Sequence, residues 1–217
     1  MTKLMDMRYL FPAIFLCFLT TSVSGQIKAV TETGDEVILN QDGTWKSATS
    51  VTPSYDTRLD TPVFNKDKNA TFLLKGTKIN YGIWLDPKKW SFKSKKDENS
   101  ATEYVLTLKK ESAYCIVIPE AIQLSLELVE AAAITNGKSA APDIHIVREE
   151  TRKINNNIVK NLELRGTIDG TKFVYFGYYY TGPLGTVQVL CYTSESLFPK
   201  YKAEMEELLN GFTTKLD

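Results

Sequence analysis

Histidine is nearly missing from this chain. Its 217 residues contain one, His145. A serine or thiol enzyme with an imidazole base therefore has a single possible centre. Cysteine is also scarce, with three in all. Cys17 lies in the N-terminal apolar stretch, which leaves only Cys115 and Cys191 beyond it. No Cys-x-x-Cys is present, and no Gly-rich phosphate loop follows a strand pattern. Charge of one sign is lacking too: 26 basic side chains balance 26 acidic ones. Without a global positive field, a nucleic-acid role loses its main electrostatic support. After the first twenty or so residues no long apolar run occurs, so no later segment reads as a transmembrane helix.

What is present starts with an address. Lys3 and Arg8 form a basic start, diluted by Asp6, and an apolar stretch runs from Tyr9 to Leu19. The small, polar run Thr20 to Gly25 follows. Val23 and Gly25 fit the small-residue pockets of a signal peptidase, so cleavage is expected before Gln26. Ile14-Phe15-Leu16 is too bulky for a lipoprotein signal at Cys17. Residues 1–25 thus read as a signal peptide, and the mature chain as periplasmic or extracellular. Removing Lys3, Arg8 and Asp6 leaves 24 basic and 25 acidic side chains. The composition, 43% hydrophobic and 24% charged, is that of a globular protein.

The remainder divides by pattern. Residues 26–46 form a small β-hairpin element with turns at Thr33-Gly34-Asp35 and Gln41-Asp42-Gly43, and Trp45 as its expected anchor. Residues 47–69, rich in Ser, Thr, Pro and Asp, read as a linker. Residues 70–217 form the main domain. Strands are expected over Thr71–Lys75, Ile79–Leu85, Tyr104–Leu108 and Ala113–Ile118. Pro119 is expected to end the last of these. A helix over Ile122–Ile134, apolar around most of its circumference, should be largely buried and stop at Asn136-Gly137. A strand over Ile144–Glu149 precedes a meander of Val159–Ile168, Lys172–Tyr180 and Thr186–Thr193. Asp169-Gly170 is a two-residue hairpin turn. A last helix opens at Pro199 and buries Tyr201, Met205, Leu208, Leu209 and Phe212. The fold class is α+β: an antiparallel sheet with helices packed on one face, preceded by a small hairpin.

Two resemblances follow from these residues. Ala29 to Gly34, Val37-Ile38-Leu39 and the ending Asp42-Gly43-Thr44-Trp45 resemble an N-terminal element common in secreted proteins of Bacteroidota. The strand ending at Pro87 and Trp90, the meander after Asn157 and the final helix ending in Gly211-Phe212 resemble the PsbP-like family over about residues 70–214. That resemblance implies a fold and an envelope setting. It implies no metal site and no photosystem role.

Chemistry is harder to find. Asp143, His145 and Glu149 would share one face of a regular strand, but a lone histidine is a poor nucleus for a metal site. Apolar flanks disfavour a thiolate at Cys115 or Cys191. The compartment permits a disulfide between them, yet each reads as a separate strand-core residue, and unbridged thiols are expected. No catalytic, cofactor or metal residue is assigned. Two functions survive: a non-catalytic binding or assembly module of the cell envelope, or a hydrolase whose acidic residues meet in a cleft. The partner of the first would be an envelope protein or a small ligand.

Register gives the first function a place. A turn at Asp169-Gly170 pairs Leu164 with Tyr175 and Glu163 with Phe176. A loop over Thr181–Gly185 would pair Tyr180 with Thr186. Glu163, Arg165, Phe176, Tyr178, Tyr180, Leu190 and Tyr192 then share an outer face mixing aromatics with charge. Such a face is either an interaction platform or is covered by the N-terminal hairpin or a helix.

Overall fold

The computed structural model describes residues 27–30, 36–40, 42–47, 62–95 and 100–216. The expected signal peptide and most of the expected linker lie outside the described residues.

Strands β1 (Ile27–Val30), β2 (Glu36–Leu39) and β3 (Trp45–Ser47) form a three-stranded antiparallel sheet. Asp42 accepts the Thr44 amide and hydroxyl and so fixes the turn before Trp45. Trp45 is 61% exposed, which corrects its reading as an anchor.

The main sheet has eight strands in the order β4-β10-β11-β12-β13-β9-β8-β7. These are β4 (Val63–Phe64), β7 (Trp90–Ser94), β8 (Tyr104–Leu108), β9 (Tyr114–Glu120), β10 (His145–Ile154), β11 (Asn157–Ile168), β12 (Thr171–Gly182) and β13 (Gly185–Ser194). Every neighbouring pair is antiparallel except the short β4–β10 contact. Two hairpins use two-residue turns whose residues have positive φ, Asn155-Asn156 and Asp169-Gly170. That backbone matches the right-handed twist of the flanking strands. A second sheet is formed by β5 (Phe72–Lys75), β6 (Gly82–Leu85) and the C-terminal β14 (Phe212–Thr213), in the order β14-β6-β5.

The α+β class, the antiparallel sheet and the preceding small hairpin element are thus the observed architecture. Helix α2 (Phe198–Leu209) carries a proline in its first turn, where the absent amide costs nothing. It buries Tyr201, Met205, Leu208 and Leu209 against Val174, Phe176 and Tyr178 of β12 and Val187, Val189 and Cys191 of β13. The second sheet joins this core through Ile83, Leu85 and Phe212. Helix α1 (Leu126–Ala140) packs Leu126, Val129 and Ala133 against Leu162, Leu164 and Tyr179. Residues of β12 alternate between the two clusters, so each helix holds its own face of the sheet.

Three boundaries differ from expectation for local reasons. Pro119 lies inside β9, paired with Val187, beyond the last β8 pair at Tyr104–Val117. The carbonyl of Val117 accepts from Glu103 on the β8 side, so the missing Pro119 amide faces the same way and costs no ladder bond. The helix starts later, where the Ser125 hydroxyl accepts the Leu128 amide. It then runs straight through Asn136-Gly137. Gly137 acts here by size: a methyl group on it would come within 2.8 Å of the Ile144 side chain. Only Leu126, Val129 and Ala133 are buried, so α1 is a surface helix rather than the largely buried one expected.

Candidate functional site

The seven residues expected to share an outer face separate. The Asp169-Gly170 turn sets the expected register, with Glu163 opposite Phe176 and Asn161 opposite Tyr178. The next hairpin does not. Gly182 pairs with Gly185 around a tight Pro183-Leu184 turn, so Tyr180 meets Val187 instead of Thr186. Gly185 sits at φ +133°, and a methyl group there would strike the Glu120 carbonyl. A one-residue slip exchanges the faces of the whole strand. Leu190 and Tyr192 therefore lie opposite Gly177 and Tyr175, on the α1 side, while Phe176 and Tyr178 lie under α2.

The α2 side is interior. Phe176 has no exposed surface and stacks edge-on against Phe198 at 5.7 Å. Tyr178 accepts from the Arg152 guanidinium at 2.9 Å and donates to Asn210 Oδ1 at 2.7 Å. Arg152 also reaches Glu206 at 2.6 Å and Glu150 at 2.9 Å, and lies over the Phe64 ring. Burial pushes the Tyr178 phenol up to about 12, with the Arg152 charge opposing it. Glu163 is buried and bonded to Arg165, which also reaches Glu195 at 2.6 Å. These groups form a rim that ties α2 and its lead-in to the sheet. A helix covers this face, one of the two alternatives that the sequence left open. Tyr180 stands apart at one end, packed on Phe212 at 5.1 Å beside a cavity of about 250 Å³ lined by Ile79, Pro183, Leu184 and Thr214.

The α1 side differs. Helix α1 covers β11 and β12 and reaches Tyr175 and Leu190 at its margin. Beyond it, strands β13, β9 and β8 carry Tyr192, Tyr114, Ile116, Ile118, Val105 and Thr107. None of these is charged, and none is fully buried. Tyr114 stacks on Tyr192 at 5.5 Å, and Tyr192 meets Tyr175 at 5.6 Å, giving a ladder across three strands. Partial burial raises the phenol pKa of both Tyr175 and Tyr192. An antiparallel sheet face turned to water ordinarily carries polar side chains. Apart from Thr107 this strip is aromatic and aliphatic instead, and two of the expected interaction residues, Leu190 and Tyr192, lie on it. Sequence reasoning missed Tyr175 as the neighbour of Tyr192 because the β13 register was displaced by one residue, and Tyr114 because no local signal pairs β9 with β13.

The candidate chemical groups do not assemble. A bulge between Ile146 and Arg148 places His145 opposite Arg165 but Glu149 opposite Leu162, hence on the other face. Asp143 accepts the Thr167 amide and hydroxyl, each at 2.8 Å, and these bonds hold its carboxyl below its usual range. Glu149 and Glu130 both hold Lys160, at 2.5 and 2.6 Å. Glu103 is a buried carboxylate that sequence reasoning did not single out. It accepts the Tyr81 hydroxyl at 2.8 Å and the Thr77 amide and hydroxyl at 2.5 Å each, which ties the turn before β6 to β8. Among the described residues no three His, Cys, Asp or Glu side chains are grouped to hold a metal ion, and no helix is long and apolar enough to cross a membrane.

No family model matches the chain. No curated protein matches it either. Solved structures do. The solution structure of cyanobacterial PsbP from Synechocystis sp. superposes with a TM-score of 0.53 at 15% identity, over 65% of this chain and 91% of that one. A Pseudomonas aeruginosa protein of unknown function, described as a putative regulator, gives 0.43 at 8% identity over 59% and 84%. A Bacteroides thetaiotaomicron protein gives 0.41 at 9% over 64% and 46%. The first of these likenesses shows the fold: the chain has a PsbP-like architecture. At such identity a shared fold carries no activity with it.

Proposed function

We propose that this protein is an exported, non-catalytic binding module of the bacterial envelope, and that it holds a protein partner on the open half of its main sheet. In this reading residues 1–25 are removed as a signal peptide. Residues 26–46 are a DGTW-type hairpin element of the kind found in secreted Bacteroidota proteins. Residues 47–69 link it to the PsbP-like domain of 70–217.

One observation carries the binding role. Tyr175, Tyr192 and Tyr114 form a continuous ladder, next to half-buried Leu190, Ile116 and Val105, with no charge among them. Aromatic groups of partial exposure, clustered and uncharged, have the composition of interface cores. Of the earlier candidates, Leu190 and Tyr192 remain in this surface. Glu163, Arg165, Phe176 and Tyr178 serve the α2 core instead.

The test is crosslinking in cells that export the chain, followed by mass spectrometry. Tyr114→Glu combined with Tyr192→Glu should abolish the crosslinked species while thermal unfolding stays cooperative. A partner retained by the folded double variant would overturn the reading. Intact mass of the exported protein checks the address: it should begin at Gln26.

A further inference from the structure

Cys115 and Cys191 are direct cross-strand partners in the β9–β13 ladder. Both are free thiols with no exposed surface, on the core side of the sheet. The type of pair follows from the backbone bonds on the other edge of β9. Glu103 N donates to Val117 O at 2.8 Å, and Leu108 N donates to Ala113 O at 2.9 Å. The odd-numbered residues of β9 thus turn their amides and carbonyls toward β8 and away from β13. Cys115 is one of them, so it faces Cys191 across a non-hydrogen-bonded pair. In such pairs the α-carbons lie about 4.5 Å apart and the side chains are at their closest. A disulfide needs α-carbons between about 4.4 and 6.8 Å. Adjacent pairs on the same face, Val117 with Val189 and Ala113 near Thr193, are fully packed, so neither sulfur has an open direction in which to turn away.

We propose that Cys115 and Cys191 close a disulfide while the chain folds in an oxidising compartment. The proposal rests on the export reading for its oxidant, an external disulfide such as an oxidised dithiol protein or glutathione disulfide. One cysteine thiolate attacks that disulfide and forms a mixed disulfide. The second thiolate displaces the carrier sulfur, forming the Cys115–Cys191 bond. The two thiols lose two electrons and two protons, and the carrier leaves as two thiols. Complete burial, which also raises the Cys191 thiol, makes the finished fold a poor substrate for this exchange. Oxidation therefore precedes the zipping of β9 onto β13. The bond joins two central strands that are far apart in sequence, and it locks the sheet between its α1-covered half and its open half.

Two samples test this separately from export. The first is residues 26–217, fully reduced and unfolded, then refolded with glutathione disulfide. The second is protein recovered from the exported fraction. In the refolded sample, non-reducing peptide mapping should recover one Cys115–Cys191 linked peptide, and denaturing alkylation should add nothing. Reduction should lower its melting temperature by roughly 5–15 °C. Two alkylatable thiols, or a separate glutathione adduct on each cysteine, would overturn the proposal whatever the cellular address. A bridge in the refolded sample beside an unprocessed, reduced chain in the cell would support the pairing and reject the export reading instead. A Cys191→Ala variant, refolded alike, should leave Cys115 free or glutathione-capped.

Discussion

The two faces of β12 and β13 both carry aromatic and aliphatic side chains, with opposite fates. Toward α2 they present Val174, Phe176, Tyr178, Val187, Val189 and Cys191, all buried. Toward α1 they present buried Tyr179, Thr186 and Gln188, but Phe173, Tyr175, Leu190 and Tyr192 are only half-buried. The presence of aromatic residues does not separate them. What separates them is coverage: among the described residues, α2 and the second sheet cover most of the first face, while α1 spans only part of the second. A run of aromatic residues in a strand is therefore not by itself a sign of a platform. The residues left over after the helices are placed are the ones to consider.

The comparison breaks most visibly at Phe176. Phe176→Ala removes a ring with no exposed surface, packed on Phe198 in the larger core. Large-to-small changes of this kind cost about 3–5 kcal/mol. Denaturant unfolding should show that loss. A change of less than about 1 kcal/mol would mean that α2 does not close this face.

The buried face should also show in alkali. The Tyr178 phenol ordinarily titrates near 10 and is pushed up to about 12 by burial. The phenolate could no longer donate to Asn210. Because the folded value is the higher one, the neutral phenol's contribution is complete below about pH 10 and is lost as the pH rises toward 12. A two-unit difference is worth about 2–3 kcal/mol. Chemical denaturation across that interval should show stability falling, and Tyr178→Phe should flatten the fall. An unchanged slope in the variant would contradict the assignment.

Gly177 tests the junction between the faces. It pairs with Leu190, and a methyl group on it would come within 2.6 Å of the Leu190 side chain and 2.7 Å of the Val189 carbonyl. The side chain can move, but the carbonyl is held in the sheet. Gly177→Ala should cost about 1–3 kcal/mol as an overpacking change, despite the entropy that alanine saves in the unfolded chain. A stabilised variant would show that Leu190 is looser than its position at the edge of α1 suggests.

The same contrast explains what was legible in the sequence. The Asp169-Gly170 turn was readable because its residue types select one geometry, and with it came every pair from Ile168–Thr171 to Asn161–Tyr178. The final helix was readable because Pro199 marks its start and its apolar residues recur at helical spacing, although Phe212, expected on that helix, lies beyond it in β14. The Gly182–Gly185 turn was not, because several loop lengths suit Thr-Gly-Pro-Leu-Gly. The packing of Gly185 against Glu120, a tertiary contact, accompanies the observed geometry. That one-residue difference moved Leu190 and Tyr192 off the expected face and hid the pairing of Tyr192 with Tyr175. The bulge near Val147 likewise separated His145 from Glu149, and nothing in the local residue pattern announces it. Alternation alone also could not show that Cys115 and Cys191 meet, since β9 and β13 are joined only through the tertiary fold.

The smallest stability effect belongs to the open face, and it gives the clearest reading of function. Tyr114 is 37% exposed and stacks on Tyr192, which is itself half-buried. Truncating Tyr114 to alanine removes one partner of a stacked pair at the surface, worth about 0.5–1.5 kcal/mol beyond its area. Part of that is recovered as Tyr192 settles against Tyr175. Tyr114→Ala should therefore cost about 1 kcal/mol or less, and Tyr114→Phe still less, since the Tyr114 hydroxyl has no hydrogen-bond partner among the described residues. A core residue would behave in the opposite way, with large loss on truncation and no separate effect on association. If the ladder is an interface, Tyr114→Ala should weaken partner capture about tenfold or more while leaving the unfolding midpoint nearly in place, because interface aromatics commonly contribute more than 1 kcal/mol to binding. Equal, small losses in both measurements would instead make the ladder ordinary sheet packing, and the open half of the sheet would lose its claim to a partner.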